Sequence, residues 1–586
     1  MRHIGTAGDR LVQATAFAAV SALASTALPA PAFGQAASGI PTRDELQGIT
    51  QAPAEAPPRL SISGGIERSP CPLADPKFKD ITVTISDVEF HGLKEIAPAD
   101  LSAAWQPFAG SAQPVSVICE IRDAAATILR NKGYLAAVEV PTQRIENGHV
   151  KLEVLYARIT AIRARGETKG AERKLKDYLG RLTEEEVFNR YRAERYLLLA
   201  RDLPGYNVRL TLKPAGTDPG DLIGEVSVLR RPYVVDLTVQ DLAAKATGRW
   251  GGQIRAQAFG LTGMGDVTTV SYYATSDFKE QHILQLNHEF RPGSEGLVVG
   301  GQFTYAWTKP DIGTAVNASL EARTLFATLY AKYPVKRTQG ENLWLSGGFD
   351  FVNQNVDFIG PLTRDKVRVL WGRADFDAVD LRHRAPRWHV NGSLEVRQGI
   401  DFLDATRTCV GATCPAGGIP TSRFDGSPGA TVVRASGEFE VAAGDKLAFA
   451  LLPRAQYAFK PLLSFEEYSA GNYTIGRGYD PGTLTGDSGV GGSFELRGPR
   501  FNLRQGTDSS VQPYTFVDAA WVWNKGVPGA QRLVSAGGGI RSTIKDRFRL
   551  DANIAVPIEN AGFQAQRGDV RFLISLTTRL LPWGTK

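Results

Sequence analysis

The chain has 586 residues, 22% charged and 43% hydrophobic, with a net charge of only +6 and no lysine- or arginine-rich run. That length allows several domains and a sizeable core, and the charge pattern gives no support to nucleic-acid binding. The 61 glycines suit a chain full of turns.

Residues 1–36 read as a secretory signal peptide. Arg2, His3 and Arg10 precede an alanine-rich apolar run from Leu11 to Ala30, and Ala32-Phe33-Gly34 and Gly34-Gln35-Ala36 offer small residues for cleavage. A retained membrane anchor is the alternative, against which the alanine content argues. No later run of about 18 apolar residues occurs, so an exported chain of this kind is either soluble or a β-barrel. Residues 37–76, rich in Ala, Pro, Gly and Ser, read as a linker with room for one short helix at Arg43-Asp44-Glu45-Leu46-Gln47.

A first folded module is expected over 77–159. Ile81–Ile85 alternates as a strand, Pro98–Phe108 and Val115–Lys132 are periodic as helices, and Gly133 follows as a helix-ending glycine. Strands at Ala136–Val140 and Val150–Ile159 flank a turn at Asn147-Gly148. The pattern repeats over 160–231, with strand Thr160–Arg165, helices Glu172–Leu179 and Thr183–Leu199, and strands Tyr206–Lys213 and Leu222–Arg230. Sheet edges in modules of this β-α-α-β-β type accept an added strand, which gives sequence-tolerant binding to an unfolded partner. A pair of plain spacers is the alternative.

From residue 232 to 586 short alternating segments take over, among them Gln253–Phe259, Asp266–Ala274, His282–Phe290, Gly296–Trp307 and Leu343–Phe351. This is the pattern of a transmembrane β-barrel, and the length allows about sixteen antiparallel strands around a wet lumen. In the last segment Val570, Phe572, Ile574, Leu576 and Leu580 share one face. Arg571, Ser575, Thr577 and Arg579 share the other, with Leu573 and Thr578 as exceptions. A soluble sandwich would need a second sheet over that apolar face.

Of the four cysteines, Cys409 and Cys414 sit close together in a Gly- and Thr-rich loop, where a local bridge is expected. Cys71 and Cys119 are placed to pair across the first module. No metal site is expected, since no histidine cluster stands near either pair. The seven histidines are scattered and no Gly-x-Ser-x-Gly elbow occurs, so an enzyme is not supported and no cofactor is expected.

Gly471-Asn472-Tyr473-Thr474-Ile475-Gly476-Arg477-Gly478-Tyr479-Asp480 sets one arginine between two glycines in β-rich surroundings. Downstream, Asp518 interrupts the apolar strand Phe516-Val517-Asp518-Ala519-Ala520. By itself the first stretch reads as a surface turn with a solvated arginine. In a confined place the arginine would take a carboxylate partner.

With export signal, two modules and a barrel in this order, the chain resembles the outer-membrane transporters of two-partner secretion, whose modules are POTRA domains. Gly133-Tyr134, Pro141-Thr142-Gln143 and Gly148 are similar to the family's Gly-Tyr, Pro-x-Gln and glycine pattern. Cys71 with Cys119 is similar to its usual cysteine pair, and Phe259–Asp266 to its early barrel turn. Ile475-Gly476-Arg477-Gly478-Tyr479 is similar to the arginine-tipped sixth extracellular loop, which in the family folds into the lumen and meets the aspartate of a Phe-x-Asp-x-Gly strand. Here Ala520 replaces that glycine, and the chain runs on past the aromatic end usual for such barrels.

The resemblance implies a lumen latch of Arg477 and Asp518 with Gly476, Gly478, Tyr479 and Phe516, and a partner-binding role for Gly133, Tyr134, Pro141 and Gln143. It implies an outer-membrane protein with periplasmic POTRA domains, in contact with lipid. Such a protein exports one large adhesin- or haemolysin-like partner without nucleotide or proton pump. A barrel-assembly insertase and a passive porin are the alternatives; the first carries more modules as a rule, and the second lacks both the modules and the arginine loop.

Overall fold

The computed structural model describes residues 40–50, 70–311, 319–383, 385–407, 418–503, 509–545, 547–562 and 567–582. Residues 1–36, most of the linker, and Cys409 and Cys414 lie outside the described residues.

From Tyr233 to Leu581 the chain forms a closed antiparallel barrel of 16 strands. That count joins the short piece Phe501–Asn502 to Ser488–Arg497, since both pair with Ser510–Trp523. The first strand, Tyr233–Gln240, is hydrogen-bonded to the last, Arg571–Leu581, so the sheet closes on itself and leaves no open edge. Side-chain alternation explains the closure. In the last strand Phe572 is 70% exposed and Leu576 38%, both pointing out of the barrel, while Arg571 and Thr577 are buried inward. Leu573, out of step in the sequence pattern, also points inward, where it packs with Tyr514, Phe516 and Ala555.

Two small modules precede the barrel. In the first, His149–Tyr156 is the central strand, parallel to Asp87–His91 and antiparallel to Ala136–Glu139. A helix, Val117–Asn131, lays Ile118, Ile121, Ala125 and Leu129 on that sheet against Phe90, Val150 and Leu152. The strand expected at Ile81–Ile85 is Thr82–Thr84, and it pairs instead with Ala112–Pro114 in a separate two-stranded ribbon. Asp87–His91 takes the sheet position, burying Val88 and Phe90 on one face. The expected helix at Pro98–Phe108 is two 3₁₀ segments, Pro98–Ala104 and Gln106–Phe108. Pro107 lacks a donor and disfavours α geometry at the residue before it, which breaks the run.

The second module has strands Arg158–Gly166, Tyr206–Pro214 and Asp221–Arg230 under helices Glu172–Gly180 and Arg190–Arg201. Its second helix starts later than the pattern from Thr183 suggests. Asn189 is in extended conformation and accepts a hydrogen bond from the Tyr191 N–H at 2.9 Å, an N-cap that sets the start. This module is fastened to the barrel turns. Asp202 receives both Arg337 Nε and Nη2 at 2.7 Å, Arg195 Nη1 donates to the Pro334 carbonyl at 2.9 Å, and Lys174 Nζ donates to the Gly293 carbonyl at 2.7 Å. The turn Phe259–Asp266 lies at the same junction. Buried Asp266 accepts from the Leu261 and Thr262 N–H groups, each at 2.9 Å, and Gly260 packs against Gly170 and the Tyr206 hydroxyl.

Candidate functional site in the barrel lumen

The connection between strands Leu447–Ala458 and Ser488–Arg497 does not project from the rim. It folds into the barrel, where Phe465, Tyr468, Ala470 and Leu484 are fully buried. A short hairpin, Tyr468–Ala470 with Leu484–Gly486, holds its two limbs together. Arg477 is at its far turn. Arg477 Nε and Nη2 donate to the two Asp518 carboxylate oxygens at 3.0 and 2.8 Å, and its backbone N–H donates to the same group at 2.9 Å. Asp518 is 1% exposed, so this is a fork-to-fork pair with little water around it. The guanidinium lies 3.5 Å above the Phe516 ring centroid, two residues along the same strand face.

The flanking residues explain the sequence of the turn. Gly476 has φ +121°, and a Cβ there would stand 2.6 Å from Leu533 Cδ1; one on Gly478 would stand 2.7 Å from Ser535 Cβ. Tyr479 is buried, its hydroxyl within hydrogen-bond reach of the Val534 carbonyl at 2.8 Å and the Glu559 carbonyl at 2.7 Å. Ala520, where the resembling family has glycine, is fully buried and lies directly opposite Gly491, so a glycine on the neighbouring strand makes room for its methyl group.

Two members of this cluster have no signal of their own in the sequence. Glu495 accepts from Arg477 Nη1 at 2.9 Å and is also bonded by Arg497 and Arg541, and Ser493 accepts from Arg477 Nη2. Both belong to an alternating strand in which inward polar residues are ordinary, so the residues carry no separate signal.

Among the described residues the lumen also holds the helix α1, Arg43–Thr50, in the segment read as a linker. Leu46 and Ile49 join one buried apolar cluster with Tyr273, Ile283, Ala306, Phe326, Val352 and Val367, inward residues of six adjacent strands, and with Phe465 of the inward loop. Its first turn is charged yet buried. Arg43 lies 3.4 Å from Glu395, Asp44 pairs with Arg454, and Glu45 accepts from the Ser469 hydroxyl at 2.7 Å. Gly48 faces Tyr473, where a Cβ would sit 3.1 Å from the tyrosine side chain. The helix thus stands between barrel wall and inward loop, touching both.

A barrel fastened to two modules, with an arginine-tipped loop turned into its lumen, narrows the field sharply. The haemolysin secretion/activation protein family ShlB/FhaC/HecB matches residues 226–542, and the ShlB-type POTRA domain matches residues 83–156. The chain belongs to this family. It is an outer-membrane transporter of two-partner secretion and acts with a secreted partner protein. The heme/hemopexin transporter protein HuxB of Haemophilus influenzae is 20% identical over 490 residues, covering 80% of this chain and 82% of that one. Among solved structures, CdiB from Escherichia coli superposes with a TM-score of 0.70 at 15% identity, over 88% of this chain and 94% of that one. CdiB from Acinetobacter baumannii gives 0.61 at 18% identity over the same shares. BamA from Haemophilus ducreyi lacking POTRA domains 1–3 gives 0.51 at 14% identity, over 85% of this chain and all of that one. These likenesses carry the fold.

In this secretion transporter the periplasmic residues named from the POTRA pattern fall in two places. Gly133, at φ +93°, and Tyr134 lie at the joint between the modules. The Gly133 carbonyl accepts from the Arg190 N–H at 2.8 Å, and Tyr134 bridges to Asn189. Burial and a hydrogen bond to Glu95 push the Tyr134 phenol pKa up. Gln143 binds the Lys151 backbone on both sides, N–H and carbonyl each at 2.7 Å, so its amide extends the sheet ladder and pins the loop that holds Pro141. Cys71 and Cys119 are joined in a disulfide that ties the segment before the first module to its helix.

Proposed function

We propose that α1 is the resting plug of this transporter and that the Arg477–Asp518 pair is the latch that keeps the inward loop in place around the path. The observation that carries the reading is the seat of α1. Its Leu46 and Ile49 share one buried cluster with inward residues of six strands of the lumen wall, where an extended chain in transit would need the same space. Residues 51–70 join it to Cys71, which the disulfide anchors on the first module, so its way out leads toward the periplasm. The partner is a large adhesin- or haemolysin-like protein, held unfolded by the two modules and passed through the lumen. Gly133, Tyr134, Pro141 and Gln143 serve that capture by setting the joint and the loop beside the first module's sheet. The apolar outer face of the barrel meets the membrane lipid.

The test is electrical. Leu46→Asp with Ile49→Asp removes two buried apolar anchors, each worth about 1.5–3 kcal/mol. In planar bilayers the variant should spend far more time in its high-conductance state than the native protein. Equal conductance for the two proteins contradicts the plug.

A further inference from the structure

We infer that Arg454, with Arg434 beside it, is a carboxylate-binding station of the pore, holding Asp44 of the plug at rest and acidic side chains of the exported chain in transit. The inference rests on the proposal that α1 leaves the lumen, and adds what its departure uncovers.

Arg434 and Arg454 stand on neighbouring paired strands, Thr431–Ala443 and Leu447–Ala458, both turned into the lumen. Asp44 lies between them, ion-paired with Arg454 and 3.7 Å from Arg434 Nη1. That Nη1 is buried and donates no hydrogen bond, although the rest of Arg434 is engaged with Gln456 and Glu466.

The charges on this wall respond unequally to loss of the helix. When α1 goes it takes both Arg43 and Asp44. The acids that faced Arg43 are not left alone, because Arg397 holds Asp350 at 2.8 Å, Glu395 at 3.0 Å and Glu466 at 2.9 Å. Among the described residues Arg454 has no such substitute. Among the described residues Asp44 is the carboxylate it pairs with, and its remaining contact is the Tyr468 ring, 5.4 Å from the guanidinium. The emptied wall therefore carries satisfied acids and one unsatisfied guanidinium, with a spare donor on its neighbour. In a confined lumen that combination selects anions over cations. A carboxylate on the passing chain meets an unpaired partner, whereas a lysine must compete with Arg397. Each such contact also occupies the place to which Asp44 would return, so cargo and plug exclude one another.

The experiment uses the full chain in planar bilayers. Asp44→Asn should raise the open fraction by loosening the plug. In those openings, hexa-aspartate added on the module side should block the current with a residence time about tenfold longer than hexa-asparagine, the scale of one partly buried charge-assisted pair. Arg454→Gln on the same background should bring the two peptides level, and Arg454→Lys, which keeps the charge, should retain most of the difference. If Asp44→Asn opens the pore but both peptides block alike, or the difference survives Arg454→Gln, the carboxylate station is wrong while the plug stands. If Asp44→Asn leaves the pore as closed as in the native protein, the plug reading falls and this inference with it.

Discussion

Arg477→Ala offers the sharpest test of the latch, because the structure says where the loss lands. Glu495 would keep Arg497 at 2.9 Å and Arg541 at 2.8 Å, so it stays paired. Asp518 would keep only the residue-477 N–H at 2.9 Å and the Ser535 hydroxyl at 3.5 Å. Removing one partner of a buried ion pair costs about 3–5 kcal/mol. The Arg477 side chain retains 16% exposure, which places the effect near the lower end, at about 3 kcal/mol. That corresponds to a roughly hundredfold larger population of the opened loop. Hydrogen exchange of the purified transporter reads this directly. The Gly471 and Tyr479 amides, which donate to Ile475 and Gly476 within the loop, should exchange about a hundredfold faster than in the native protein. Amides of Gln531–Ile544 should not change. Arg477→Lys should fall between, since an ammonium cannot fork onto both carboxylate oxygens. Adding Asp518→Ala to Arg477→Ala should cost little more. Native exchange rates in an inserted Arg477→Ala protein would refute the reasoning, as would equal acceleration in the barrel strands.

Secretion should drop in Arg477→Ala and Asp518→Ala cells while heat-modifiable gel mobility shows the barrel still assembled; undiminished export in either variant contradicts the latch. Gly491→Ala should lower export, because its Cβ would stand 2.9 Å from both the Ala520 Cβ and the Ala519 carbonyl, and Ala520→Gly should restore part of the loss. Ala520→Gly alone should export at the native level, which a secretion assay of the three variants checks together. Replacing Cys71 and Cys119 by serine should destabilise the first module by about 4 kcal/mol, the loop-closure value for a separation of 48 residues. Limited proteolysis, with and without reductant, should show that module cut first. Arg337→Ala should remove the forked ion pair on Asp202 and loosen the second module from the barrel, seen as broadened spin-label distances between module and rim; unchanged distributions would show that the remaining contacts suffice.

The barrel was readable because its physics is local. Alternation along Val570–Leu580 follows from one face meeting lipid and the other the lumen, and the departure at Leu573 marks a place where the inward face is packed rather than wet. The first module was less legible, since Ile81–Ile85 and Asp87–His91 both alternate and the choice between them depends on which one reaches His149–Tyr156. The latch residues stood out through an isolated arginine and an isolated aspartate. Their partner Glu495 did not, because a carboxylate among inward polar residues looks like any other. The plug is the least legible element. Arg43-Asp44-Glu45 reads as a solvated helix start, and these charges become buried only because Glu395, Arg454 and Ser469, hundreds of residues away, are arranged to meet them. Complementarity of that range leaves no trace in a local window.

Cargo and α1 must take turns in one space. A photo-crosslinking side chain at Val352, buried in the same apolar cluster as Leu46 and Ile49, asks this in the full-length transporter. In cells without the partner it should capture α1, as an intramolecular product mapping to residues 43–50. With a partner stalled in the pore by a folded fusion, the same position should capture the partner and the intramolecular product should fall away. Persistence of the α1 product at full yield, with partner stalled and no crosslink to it, would contradict the account.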